Sequence, residues 1–248
     1  MNFSKRNFVI FSLVLLLVIP AIGVLAQDQE SGQDSGQESQ PTVVATVNGS
    51  DITQQELSQS AQVYPIIMTL SRQFRSFAQF MMTSEAGNEF LTEYRKYALD
   101  QLIDQELQQQ KIEELGIEVS EEEVQEQIDS IISNNDQFED EKSLEEYLKN
   151  NQNMSLDSLK SRIKESIRQQ KLRDEVTGNV EVTEEEITSF YEENKESYKD
   201  QEGNVKSLDE VSDQIEGTLK SQKSNEAWSE WLEQEREEAE IEKKLENL

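Results

Sequence analysis

The sequence predicts a mainly α protein with one small sheet that pairs its N- and C-terminal segments. Three observations lead there. Apolar residues recur at a helical period: Leu99, Leu102, Ile103 and Leu107 are spaced i, i+3, i+4, i+8 and share one face. Capping boxes recur, as VSEEEV at 119–124, VTEEEI at 182–187 and, more weakly, ITQQEL at 52–57. Three prolines and nine glycines are few for an all-β chain rich in turns, whereas the abundant Glu, Gln, Lys and Leu are good helix formers.

Residues 1–26 read as a targeting segment. Lys5 and Arg6 precede the almost wholly apolar Phe8–Ile19; Pro20 and Gly23 break the run, and Val24-Leu25-Ala26 offers a cleavage point between Ala26 and Gln27. The alternative is an uncleaved anchor, because Phe8–Ala26 is just long enough to cross a bilayer. Either way the remainder is expected outside the cytoplasm. Residues 27–41 (QDQESGQDSGQESQP) are a polar, low-complexity linker expected to be disordered, with no means of building a core. Thr42–Val47 alternates apolar and small residues and stops at the turn dipeptide Asn48-Gly49, which predicts a short strand. Its expected partner lies near the other end, where Ala239 and Ile241 alternate with Glu240 and Glu242.

Thr53 is expected to cap one long helix running to about Thr83, with Val63, Ile66, Ile67, Leu70, Phe74, Phe77 and Met81 on its buried face and Pro65 as a kink point. Asn88–Leu115 is the second helix, and Gly116 supplies the left-handed residue that stops it. Ser120 and Glu123 box the third, Ser120–Asn134, with Val119 and Val124 as its staple. The acidic stretch Asn134–Glu141 lacks the spacing and central glycine of an EF-hand and reads as a connection. A short helix, Ser143–Asn150, is boxed by Ser143 and Glu146. Met154 and Leu159 staple the next, which ends at Gly178. Thr183–Glu196 follows, then the polar loop Lys199–Lys206. Ser207 and Glu210 open a last long helix that carries Trp228 and Trp231.

Composition limits the chemistry. The chain has no cysteine and no histidine, which excludes disulfides, thiol chemistry, a Cys/His zinc site and any histidine general base. Its net charge of −29 repels nucleic acid and anionic lipid. The runs Glu121–Glu123 and Glu184–Glu186 occupy helix first turns, where carboxylates suit the dipole, and read as solvated caps. No cofactor and no metal are expected.

The stretch LIDQELQQQKIEELGIEVSEEEV (102–124) resembles the N-terminal chaperone domain of SurA- and PrsA-type extracytoplasmic foldases. The order VATVNGSDIT, helix pair, VEVTEEEITSFYEENKESY, closing helix matches as well, over nearly all of the chain after residue 41. The resemblance implies a SurA N-terminal-like helical chaperone body at 42–198, completed by 207–248. In the resembling proteins a parvulin prolyl-isomerase domain separates the last two of these segments and uses histidines. Here only KDQEGNVK, 199–206, separates them, so the expectation is a chain without the parvulin domain and without enzyme activity. The implied function is that of an exported, ATP-independent chaperone for unfolded or nascent exported polypeptides, in the periplasm or at the cell-envelope exterior. Its only membrane contact would be an uncleaved N-terminal segment. An envelope scaffold with one fixed partner, and a peptidyl-prolyl isomerase, are the alternatives. The candidate client-binding residues are Phe77, Phe80, Met81 and Met82. Phe77 and Met81 follow the core spacing, whereas Phe80 and Met82 fall off it. Core packing and client binding are both open readings of this cluster.

Overall fold

The computed structural model describes residues 41–200 and 202–248. The targeting segment, the Ala26–Gln27 cleavage point and nearly all of the linker lie outside the described residues. Three strands form one antiparallel sheet in the order β2-β1-β3: β1 (Val43–Val47), β2 (Ser50–Thr53) and β3 (Ile241–Lys243). The expected closure of the chain on itself is present, with Ala45 opposite Lys243 and Val47 opposite Ile241. β2 was not expected. Asn48 and Gly49 both have positive φ, 49° and 89°, the geometry of a two-residue hairpin turn, and so return the chain directly as a second strand.

The helices are α1 (Gln54–Ala61), α2 (Val63–Gln73), α3 (Arg75–Thr83), α4 (Glu85–Glu114), α5 (Glu121–Ser133), α6 (Glu141–Tyr147), α7 (Leu156–Thr177), α8 (Glu184–Asn194) and α9 (Leu208–Glu238). Among them none is long and apolar enough to cross a membrane. Several ends follow the sequence closely. Ser120 and Glu123 box α5, and Thr183 and Glu186 box α8, by reciprocal bonds. Gly116, at φ 63°, donates to the Glu113 carbonyl while Ile117 donates to that of Ile112, a Schellman stop for α4. One cap differs: α6 begins earlier, and Asp140 caps it by accepting from the Ser143 N–H at 2.8 Å. Ser143 is the third residue of that helix, its hydroxyl accepting from the Asp140 N–H, so it is the return half of the box.

The described chain divides into two units, residues 41–169 with Ala239–Leu248, and Gln170–Glu238. The first has two apolar clusters. Val44, Val47, Leu57, Leu99, Ile103 and Leu107 join the sheet to α1 and α4. Val119, Val124, Ile128, Leu144, Leu148, Leu159 and Ile163 form the other, so both staple valines are buried. The second unit packs around Tyr191, Val211 and Ile215. There Trp228 and Trp231 are half-buried with ring centroids 4.7 Å apart, and the Arg173 guanidinium lies 5.2 Å from the Trp228 ring.

The second unit also carries a charged latch. Lys223 donates to the Glu186 carboxylate at 2.8 Å and to the Glu181 carbonyl. The Lys223 bond, followed by the Thr183 N–H bond, holds the Glu186 carboxyl down at about 2. A carboxyl depressed in the folded state stabilises the fold above its ordinary value of 4.5, and that contribution is lost as pH falls toward about 2. We therefore expect Lys223→Met to flatten the decline of thermal stability between pH 4.5 and 2.5. An unchanged acid limb of the melting-temperature profile would show that the latch does not couple to folding.

Candidate functional site

The expected single helix from Thr53 to Thr83 is three helices, and the breaks create the surface. Pro65 is the third residue of α2. It has no N–H to give the Ala61 carbonyl, and its ring would collide with that group in a continuous helix. The chain breaks at Gln62, which is left-handed at φ 47°. A second break at Phe74, φ −131° and ψ 59°, separates α2 from α3. The pieces bury much less than one long stripe would. Ile67 of α2 and Ala78 and Met81 of α3 are buried, whereas Ile66 and Phe74, expected in the core, are exposed, Phe74 at 59%.

Of the four candidate residues, Phe77, Phe80 and Met82 are exposed, at 51%, 49% and 53%, and Met81 is buried. At 100° per residue, Phe77 and Met82 flank the buried pair Ala78 and Met81 on either side, and Phe80 lies further round. Met81 is thus a floor residue and does not itself offer contact area. The exposed large apolar side chains of α2, α3, α4 and the break between α2 and α3 are Tyr64, Ile66, Phe74, Phe77, Phe80, Met82, Phe90 and Tyr97, and most of those in the described chain fall here. Sequence reading missed Tyr64 and Tyr97, and the signal for them was their position off the apolar stripe of each helix. A groove of about 400 Å³ runs alongside, lined by Leu57, Val63, Tyr64, Ile67, Met82, Leu91, Arg95 and Leu248 among others, with no Asp or Glu side chain. Met82 lines this groove and Phe77 and Phe80 do not; exposed apolar side chains beside a groove whose one charged side chain is Arg95 can exclude water from an apolar ligand and need no covalent chemistry.

A close approach holds α3 against α4. Ser84 caps α4 by accepting from the Gly87 N–H at 3.0 Å. A Cβ on Gly87 would sit 2.5 Å from the Met81 carbonyl oxygen and 2.6 Å from that of Phe80, both backbone atoms that cannot swing aside. Gly87→Ala should therefore push the two helices apart. We expect a loss of about 1–3 kcal/mol in urea unfolding, the usual cost of overpacking. A neutral Gly87→Ala would mean that α3 shifts freely.

Residues 182–248 hold a different set of groups. Tyr191 donates its hydroxyl to the Lys206 carbonyl at 2.6 Å. Lys199 and Val205 form an isolated antiparallel bridge across the loop, with Gly203 at φ 86°. The Asp200 carboxylate accepts from the N–H groups of Asn204 and Glu202, which hold its carboxyl below the ordinary value, the Asn204 bond foremost.

Comparison with known proteins adds two family matches. The SurA-like N-terminal domain matches residues 1–173, and the PPIC-type PPIase domain matches residues 182–248. Among similar proteins, a foldase protein PrsA of Clostridium botulinum is 28% identical over 163 residues, covering 63% of this chain and 46% of its own length. One from Clostridium perfringens is 25% identical over 201 residues, covering 79% and 54%. The chain thus spans about half the length of these relatives. A solved structure described as one of two structurally related SurA-like chaperones in Campylobacter jejuni superposes with a TM-score of 0.58 at 12% identity, covering 81% of this chain and 98% of that one, which is a likeness of fold.

The second match corrects the sequence reading. A chain without a parvulin domain, and hence without enzyme activity, was expected because only residues 199–206 separate two helices taken to flank that domain. The match at 182–248 takes in those helices themselves, so the length of the loop between them was the wrong measure.

Proposed function

The chain belongs to the SurA-like N-terminal domain family, and from that premise we propose that it is an extracytoplasmic, ATP-independent chaperone. It holds unfolded or nascent exported polypeptides on the apolar surface of α2, α3 and the start of α4. The observation that carries this is the group of exposed aromatic and Met side chains there, centred on Phe77, Phe80 and Met82. Apolar client residues gain by leaving water on that surface, while the chain's net charge of −29 keeps the complex soluble. Residues 1–26 direct the chain out of the cytoplasm, by cleavage after Ala26 or as an anchor.

A second activity, peptidyl-prolyl isomerisation, is supported by the PPIC-type match at 182–248 and by the foldase relatives. With no histidine in the chain, polar contacts to a twisting prolyl amide would fall to groups such as the Tyr, Ser and Asn side chains of that stretch.

Both readings are tested with one preparation. The purified chain, without nucleotide, is mixed with a chemically unfolded client, and light scattering is followed on dilution. A proline-containing peptide is assayed in parallel, where the uncatalysed step takes tens of seconds or more. Unreduced scattering would remove the chaperone reading, and an unchanged isomerisation rate would remove the second. Crosslinking that captures one stoichiometric partner and no unfolded clients would favour a scaffold instead.

A further inference from the structure

We propose that this surface selects unfolded apolar segments that carry a carboxylate, received by Arg72 and Arg75; the proposal rests on the chaperone reading above. The chain has 52 Asp and Glu residues against 23 Lys and Arg, yet from Leu57 to Ser84 it has no acid at all. Among the described α-helices, α2 and α3 are the ones with no acidic residue in the first turn, and neither has a side-chain cap. Every other α-helix carries an acid there. The rule that organises the rest of the chain is suspended on the apolar surface.

The two arginines stand on either side of the break at exposed Phe74, and both are exposed. Lys96, Lys111, Lys160, Lys223 and Lys243 each pair with a carboxylate, whereas neither Arg72 nor Arg75 pairs with another described residue. Arg72 lies in the last turn of α2, where a cation suits the helix dipole. Arg75 is the first residue of α3, where a cation is disfavoured, and no acid in that turn offsets it. The fold gains nothing from that placement, and a ligand carboxylate would: guanidinium groups bind carboxylates through paired, charge-assisted hydrogen bonds. The net charge of −29 does not cancel the preference. Beyond about 8 Å at physiological salt the remote acids are screened, so a bound segment meets the local arginines first.

The test uses the full chain and three labelled peptides of one aromatic-aliphatic sequence, with Glu, Gln or Lys at two central positions. Fluorescence anisotropy gives each affinity at 0.1 M and 1 M NaCl. The expected order is Glu, then Gln, then Lys, with about three- to tenfold between the Glu and Gln peptides, the range that two exposed ion pairs supply. The spread should shrink at 1 M, where the Debye length falls to about 3 Å. Arg72→Gln/Arg75→Gln should merge the Glu and Gln affinities without lowering the melting temperature, and Arg72→Lys/Arg75→Lys should keep most of the preference. Equal affinities, a tightest Lys peptide, or an order unchanged in the Gln variant would overturn the proposal and leave the chaperone reading standing. Absence of binding by all three peptides would remove both. A dimer in sedimentation equilibrium that is dissolved by Phe77→Ser/Phe80→Ser would assign the surface to a second copy of the chain and overturn the proposal.

Discussion

Phe77→Ser/Phe80→Ser/Met82→Ser should abolish most of the suppression of client aggregation while leaving the fold intact. All three side chains are about half exposed, so their removal takes little from the folded core. Exposed substitutions shift stability by about 0.5 kcal/mol or less each. Fully burying an exposed phenylalanine is worth about 1.5–3 kcal/mol, and a client can bury only the exposed half of each, about 0.7–1.5 kcal/mol. Each lost Phe should therefore weaken client binding about three- to tenfold. Met81→Ser is the matched control and should do the opposite. Met81 is 6% exposed and sits beneath the surface, so truncating it should cost about 2–5 kcal/mol, with suppression per folded molecule retained. The measurements are urea unfolding and light scattering with an unfolded client. Stability lost in the triple variant, with suppression kept, would place these residues in the core and the client site elsewhere.

Leu99→Ala should be the most destabilising single truncation of the sheet-bearing unit. Leu99 has no exposed area and lies in the cluster where α4 meets β1 and α1. Removing a fully buried Leu side chain costs about 3–5 kcal/mol, the transfer loss plus the cavity left behind. Domain stabilities are about 5–15 kcal/mol, so one such change spends a large part of the margin. With 34% hydrophobic residues in the whole chain, few other contacts can compensate. A loss below about 1 kcal/mol would mean that the cluster collapses around the gap and is not tightly packed.

Local signals in the sequence account for much of the architecture. The boxes at Ser120–Glu123 and Thr183–Glu186, the Gly116 stop and the buried face of α4 are all encoded within a few residues of where they act, because helix ends satisfy their orphan groups with near neighbours. The pairing of the two chain ends was legible too, since a lone alternating strand needs a partner and one other alternation exists. The hairpin strand β2 was less visible, because SDIT is a polar four-residue stretch whose strand character comes from the turn ahead of it.

By itself, then, the sequence determined the helical class, several of the helix ends, the lack of thiol and imidazole chemistry, and the presence of an aromatic and Met-rich segment. Which of those side chains face water was decided only by the tertiary structure. A 3.6-residue period ranks faces only while the helix is continuous, and the breaks at Gln62 and Phe74 reset the phase twice. Phe74 and Ile66 thereby left the core they were expected to join, Met81 stayed in it, and Phe77 moved to its edge. The tight contact of Gly87 with the backbone of Phe80 and Met81 is likewise non-local in its cause: a missing Cβ carries no periodic signal, and its meaning appears once α3 and α4 are side by side.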